Sequence, residues 1–492
     1  MKRSALSSLD GNALRSSFRR SSSSMSIASM CSTATTDDVE VYSSPFKKLR
    51  SSNISFSSPT NSDDVADFPT DNAEQSLLDS ANAGLQKYKH LTLTTDGTGG
   101  AYIVKAVSGR NIGIYKPSVE EAFGPENPRG YVSQQGGGIG AASPLRPGFR
   151  VGRGFVRERA VYLLDKHSLL QAGVPTTVVV KSNQTRCGSR KRSGSSSSAG
   201  SSAGSSTSAS GSSTFAALLS PTSSTNGMST ATTMPSSATT TTPLRLTPVP
   251  SINAVVSNNV WLNGRFGSLQ QFQPSVGTME DYGTKGLDVL QAQLIACLDI
   301  RTMNQDRHGA NLLVTGSRGL VPIDHGFSLP SYTNLSKTTF YWSSWPQIRQ
   351  QLPHSQVLAL VQSLDSAKDA HLLRACGIDE TSILSMRIGT ELLKVGCQQG
   401  LSLGAIADLC LRSDPETTAL SDIEQLVQEA VVAVADASST ASGGPKSTCG
   451  SGSAASVICT FGAPQAGPTC NCQHCQIFDA LNVAAVLPND AV

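Results

Sequence analysis

Two fragments of the chain hold residue types that can do chemistry. The first, NQDRHGANLL (Asn304 to Leu313), sets Asp306, His308 and Asn311 close together. A carboxylate there can orient or deprotonate a hydroxyl, the imidazole is an alternative proton acceptor, and the amide oxygen can hold a divalent cation. The second, VPIDHGF (Val321 to Phe327), adds the Asp324 carboxylate, a hard oxygen ligand suited to Mg²⁺. These are parts that phosphoryl transfer from ATP requires, a reaction accelerated mainly by positioning and electrostatics.

The remaining parts lie upstream in a workable order. Gly97, Gly99 and Gly100 form a turn where a backbone without Cβ can approach a phosphate. Lys116 ends a strand and could neutralise α/β-phosphate oxygens, and Glu158 in the next helix could pair with it. Each part alone has a plainer reading. GTGG can be a hairpin turn, Lys116 a solvated strand end, and Glu158 a surface residue paired with Arg157 or Arg159. His308 can be a structural hydrogen-bonding residue and Asp324 a turn cap. Their joint order carries the weight: lysine on a third strand, glutamate on the following helix, Asp-x-x-x-x-Asn, strand, Asp-x-Gly is a kinase-like layout.

Elements able to position these residues are legible around them. HLTLTTD, AYIVKAV and IGIYKP read as three strands joined by glycine-containing turns. A Gly/Pro-rich loop over 118–152 leads to a helix in GFVRERAVYLLDKHSLL, followed by the β-branched strand VPTTVVVKS and a strand in VWLNGRFGSLQQF. Then the pattern turns helical: GLDVLQAQLIACLDIRTM, DETSILSMRIGTELLKV with Asp379 as starter, and SDIEQLVQEAVVAVA with Ser421 and Glu424 as a capping box. The predicted fold is α+β and two-lobed, with a small β-rich N-lobe carrying one main helix and a larger helical C-lobe.

Three segments lack such patterning. Residues 1–87 are Ser-, Asn- and Asp-rich and are expected to be a disordered N-terminal region. Residues 187–250 form a low-complexity Ser/Thr/Gly insertion expected to loop out of a catalytic domain spanning 88–436, and 437–492 is expected to be a flexible tail. The chain has 492 residues and a net charge of +3, which gives no case for nucleic-acid binding. Among 11 cysteines, Cys297, Cys376, Cys397 and Cys410 sit in apolar helical patterns, as reduced cysteines of an intracellular protein do. No apolar run is long enough to span a bilayer, so membrane contact would be peripheral. The Arg/Ser-rich start weakly resembles an organelle transit peptide, but a phosphorylatable tail is the preferred reading.

The fragment Asp-Arg-His-x-x-Asn resembles the catalytic loop of the phosphatidylinositol 3-/4-kinase superfamily, most closely the plant-type gamma phosphatidylinositol 4-kinases. Matching stretches are GGAYIV, YKP, ENPRG, GRGFVRERAVYLLD, GVPTT, GSLQQF and YWSSWPQIR, and above all LDIRTMNQDRHGANLLV and PIDHGFSLP. They span about residues 90–415 without the insertion. The resemblance implies ATP and Mg²⁺ as cofactors, with Lys116 on the phosphates and Glu158 as its partner. It further implies Ser268, Leu269, Gln270, Gln271 and Phe272 as the hinge that receives adenine. Asp306, Arg307 and His308 would form the catalytic loop, and Asn311 and Asp324 the metal ligands. Phosphatidylinositol in membranes would be the acceptor. The segment after Asp-His-Gly departs from the related lipid kinases, since Lys337 is its one basic residue. A Ser/Thr protein acceptor on the same fold is the alternative, and a nucleotide-binding scaffold without catalysis a third reading. In the C-terminal CNCQHC, Cys470, Cys472, His474 and Cys475 are metal-ligand types spaced too tightly for the usual zinc site, and a tail with thiols is expected there.

Overall fold

Alternation along the strands decides what faces the site. The computed structural model describes residues 71–88, 91–133, 138–168, 170–183, 245–248, 266–414, 417–440 and 472–487. The larger sheet holds β1 (Thr92–Leu93), β2 (Tyr102–Lys105), β3 (Asn111–Pro117), β4 (Thr177–Ser182), β5 (Leu246–Pro248) and β6 (Phe266–Gln271) in the order β1-β2-β3-β6-β4-β5, each pair antiparallel. Successive side chains of a strand point to opposite faces. On β3, Tyr115 therefore enters a core with Val104, Val178, Val180 and Leu269, while Lys116 faces the other way.

Helix α1 (Asn72–Lys87) closes that core with Leu77, Leu78, Ala81 and Leu85. Its start is fixed by Asp71, which accepts from the Glu74 amide at 2.8 Å. The expected disorder of residues 1–87 is thus corrected for 72–87, where four apolar side chains on one face outweigh a polar composition. Residues 1–70 lie outside the described residues. Glu74 is buried and pairs with Arg159 at 2.9 Å, joining α1 to α2 (Gly154–His167). Helix α2 packs on the opposite sheet face from α1, beside Val179 and Phe266. The insertion is corrected at its end, since Leu246–Pro248 pairs with β4 as a sheet edge.

The C-terminal part is built on α3 (Val289–Thr302), buried along most of its length. Around it lie α4 (Pro346–Arg349), α5 (Ser355–Ser363), α6 (Ser366–Ala375), α7 (Glu380–Gln398), α8 (Leu403–Cys410) and α9 (Asp422–Thr440). A Cβ on Gly389 of α7 would stand 2.5 Å from the Ile300 carbonyl oxygen, so glycine is what lets α7 approach α3 this closely. Both predicted starts occur: Asp379 accepts from the Ser382 amide at 3.0 Å, and the Ser421 amide donates to Glu424 at 3.0 Å. The four helix cysteines are buried thiols. The expected tail is corrected too, because α9 runs to Thr440 and α10 (Gln473–Ala480) buries Ile477 in the main core. A second sheet, β7 (Gly277–Thr278), β8 (Leu312–Val314) and β9 (Leu320–Pro322), carries the two opening fragments. Among the described residues no helix is long and apolar enough to cross a membrane.

Candidate active site

The β8–β9 hairpin brings the two fragments together. Leu312 pairs with Pro322, and the Ile323 amide donates to the Asn311 carbonyl at 3.1 Å, so Asn311 and Asp324 leave neighbouring strand ends. Asp324 has φ +56°, a left-handed conformation that costs energy for a residue with a Cβ and that recurs at functional sites. Lys116 comes from β3 and Glu158 from α2. Lys116 Nζ donates to Glu158 Oε1 at 2.6 Å and to Asp324 Oδ1 at 3.1 Å. Gln270 Nε2 supports Glu158 from β6 at 3.4 Å.

Charge sorts these groups. Burial alone would lower the Lys116 ammonium, but the carboxylates of Asp324 and Glu158 outweigh it and hold it well above the usual range. Burial raises the Glu158 carboxyl against the pull of Lys116. Lys116 keeps the Asp324 carboxyl below its usual value, while burial, then the negative charge of Asp324, raises that of Asp306. The two carboxyls are thus pushed in opposite directions, Asp324 toward the anion and Asp306 toward the stronger base.

The loop carrying Asp306 is set by Arg307 together with Asp299, Asn304 and Trp342, which sequence patterning did not single out. Helix α3 ends on Met303 at φ +44°, which turns the chain into Asn304. Arg307 is fully buried: its Nε and Nη2 bind Asp299 at 2.8 and 3.1 Å, and its Nη1 binds the carbonyls of Asn311 and Ile323 at 2.7 and 2.9 Å. Asp299 also accepts from Asn304 Nδ2 at 3.0 Å and Trp342 Nε1 at 2.8 Å. The expected catalytic role of Arg307 is therefore corrected: its charge is spent inside the protein, tying the two fragments to α3. An acid inside the apolar helix α3 was the sequence signal for Asp299. His325 is buried as well, its imidazole held well below its usual pKa by burial and then by the Arg307 charge. His308 is half exposed, 3.8 Å from Glu280, at the rim of the loop. Asn311 Nδ2 donates to the Asp306 carbonyl at 2.9 Å.

The expected hinge residues lie in β6 and just beyond it. Ser268 pairs with Lys116 within the sheet, Leu269 fills the core under α1, and Gln270 serves Glu158. Gln271 ends the strand, its amide donating to the Thr176 carbonyl at 2.7 Å, and the amide of Phe272 donates to the Ile112 carbonyl at 2.9 Å. The glycine turn is held by Arg129, which donates to the carbonyls of Thr94, Thr95, Asp96 and Gly99. Because a peptide unit is planar and trans, this turns the Gly97 amide away from Arg129. Gly97 has φ +95° and open space where a Cβ would be. Gly100 is small for another reason: its amide binds the Glu120 carbonyl at 2.7 Å, and a Cβ would meet the Glu120 carboxylate. Asn127 braces the same turn through the Thr98 carbonyl at 2.8 Å. Gly99 packs against the Glu120 and Glu121 backbone.

Arg146, from the long loop between β3 and α2, was also missed. Its Nη2 lies 3.1 Å from Asp306 Oδ1, its Nε donates to the Gln305 carbonyl at 3.1 Å, and it stacks on Phe327. Removing this cation takes a stabilising charge from the Asp306 carboxylate, so its pKa rises. Arg146→Ala is expected to move the acid limb of a pH–rate profile to higher pH and to lower kcat/KM about tenfold, with a stability change under about 1 kcal/mol. An unchanged acid limb would show that the contact has no electrostatic effect on Asp306.

A sheet-rich lobe supplying Lys116 and Glu158, joined to a helical lobe through the contact of Lys116 with Asp324, defines a kinase-type fold. Residues 166–403 match the family model described as Phosphatidylinositol 3- and 4-kinase. It is 30% identical over 374 residues to "Phosphatidylinositol 4-kinase gamma 4" of Arabidopsis thaliana, covering 74% of this chain and 54% of the relative. It is 29% identical over 379 residues to the protein of that name from Oryza sativa subsp. japonica, covering 74% and 52%. The chain thus spans about half the length of the curated relatives it matches.

Proposed function

We propose that the chain is an ATP-dependent kinase that transfers the γ-phosphoryl group to phosphatidylinositol at a membrane surface, with the inositol 4-hydroxyl as acceptor. The observation that carries this reading is the Lys116–Glu158–Asp324 contact set. Lys116 would bind the α/β-phosphates, with Glu158 holding its ammonium in place. Asp324 and the Asn311 amide oxygen are hard oxygen donors that fit Mg²⁺. When bound, the ion neutralises phosphate charge as it develops. Asp306 Oδ would take the proton of the acceptor hydroxyl, and Arg307 keeps its loop in register through Asp299. Gln271 and Phe272 would flank the adenine, and the Gly97 turn would cover the phosphates.

A second reading, a Ser/Thr protein acceptor, is favoured by the segment 327–342, whose one basic side chain is Lys337. One experiment separates them. The full chain is incubated with labelled ATP, Mg²⁺ and either phosphatidylinositol vesicles or a generic protein substrate, beside Asp306→Ala and Asp324→Ala. Label in the 4-phosphorylated lipid that both substitutions abolish is the expected result. Label in protein alone supports the second reading, and ATP binding without any turnover overturns both.

A further inference from the structure

Cys472-Gln473-His474-Cys475 lies apart from the cleft chemistry. Cys472 is the N-cap of α10 and Cys475 lies in its first turn. Residues three apart share one helix face, and here the two sulfurs stand 3.3 Å from each other. Cys472 is 6% and Cys475 2% exposed. Arg387 of α7 hydrogen-bonds the Cys475 side chain, and its guanidinium lies 3.6 Å from the Phe478 ring centroid. A guanidinium and a helix N-terminus both favour thiolate over thiol. Elsewhere, burial pushes the thiols of Cys376 and Cys410 up to about 12 and that of Cys397 up to about 11. Among the described residues no set of three His, Cys, Asp or Glu side chains suits a metal.

We propose that Cys472 and Cys475 are a dithiol redox site that closes reversibly to a disulfide in the presence of a peroxide. A sulfur–sulfur bond is about 2.0 Å long, so a modest rotation of the two side chains within one helical turn closes the gap. The Cys472 thiolate, the more exposed of the two, attacks one peroxide oxygen. The O–O bond breaks, a sulfenic acid forms, and the departing hydroxide takes a proton to become water. The Cys475 sulfur then attacks the sulfenic sulfur, the S–O bond breaks, a second water leaves, and the S–S bond forms. Both sulfurs are oxidised, and one peroxide is reduced to two waters. So short a ring constrains the unfolded chain little, so the bond is suited to exchange rather than to bracing the fold. The pair also lies next to the segment following Asp-His-Gly, since the His474 ring packs edge-on against Tyr332 with centroids 6.2 Å apart.

The test uses the full chain, reduced and desalted, then treated with hydrogen peroxide, denatured, alkylated, digested and weighed. The expected result is a peptide lacking both alkyl groups at Cys472 and Cys475 and lighter by two hydrogens, restored by a thiol reductant. Cys297, Cys376, Cys397 and Cys410 stay alkylatable. Cys470→Ser retains the product, and Cys472→Ser or Cys475→Ser loses it. Full alkylation of both thiols after treatment, a bond from either to Cys470, or stoichiometric zinc in the purified protein that blocks oxidation would each overturn the proposal. The wild-type measurement stands even if a serine variant folds poorly.

Discussion

Asp324→Ala and Asp306→Ala are each expected to lower kcat by about 10³-fold, with different signatures in KM. Asp324 is held anionic by Lys116 and contacts it at 3.1 Å. Its loss removes the carboxylate offered to Mg²⁺ and one of two anions that fix the ammonium. ATP binding should weaken together with turnover, so KM for ATP rises as kcat falls. Asp306 is pushed toward neutrality by burial and then by Asp324, which suits a proton acceptor. Alanine there should leave KM for ATP near its wild-type value while kcat collapses, since the lost interaction belongs to the transition state. Steady-state kinetics at saturating vesicles, with nucleotide affinity measured separately, reads both. If Asp306→Ala turned over within about tenfold of wild type, the base assigned here would be wrong and His308 the residue to test next.

The second large effect concerns stability. Asp299 is fully buried and takes four hydrogen bonds, two from Arg307 and one each from Asn304 and Trp342. Asp299→Ala leaves the Arg307 guanidinium buried without its anion, which costs about 3–5 kcal/mol. For a folded unit of this size that corresponds to a fall in Tm on the order of 10 °C. Asp299→Asn keeps the shape and some acceptors, so its loss should be smaller. Thermal and urea unfolding check the ranking. Activity measured below the variant's Tm should also fall, because the same carboxylate sets the loop carrying Asp306. A variant as stable as wild type would mean that Arg307 finds another partner and that the clamp is redundant.

How much of this was legible in the sequence depends on the range of the interaction concerned. Helices α2, α3, α7 and α9 and strands β1 to β4 and β6 of the larger sheet follow from local apolar spacing and caps such as Asp379 and Ser421, which act within a few residues. The order Lys116, Glu158, Asp306, Asn311, Asp324 was enough to name a chemistry. Helix α1 was hidden because its Leu77, Leu78, Ala81 and Leu85 are set among polar residues, and only the sheet they cover shows what they are for. The surroundings of the hinge candidates were hidden in a similar way: Ser268–Gln270 are interior strand positions, visible as such only once β6 is paired on both sides.

By itself the sequence determined the main helices and strands, the two-lobed order and the residue types available for phosphoryl transfer, because propensity, capping and periodicity are short-range properties. Tertiary structure alone decided that Arg307 is a buried clamp, that Arg146 reaches Asp306 from a loop far away in the chain, and that Cys472 and Cys475 belong to an ordered helix. Those outcomes rest on contacts between distant segments, where burial and the charge of a neighbour, not the residue's own type, set what a side chain can do.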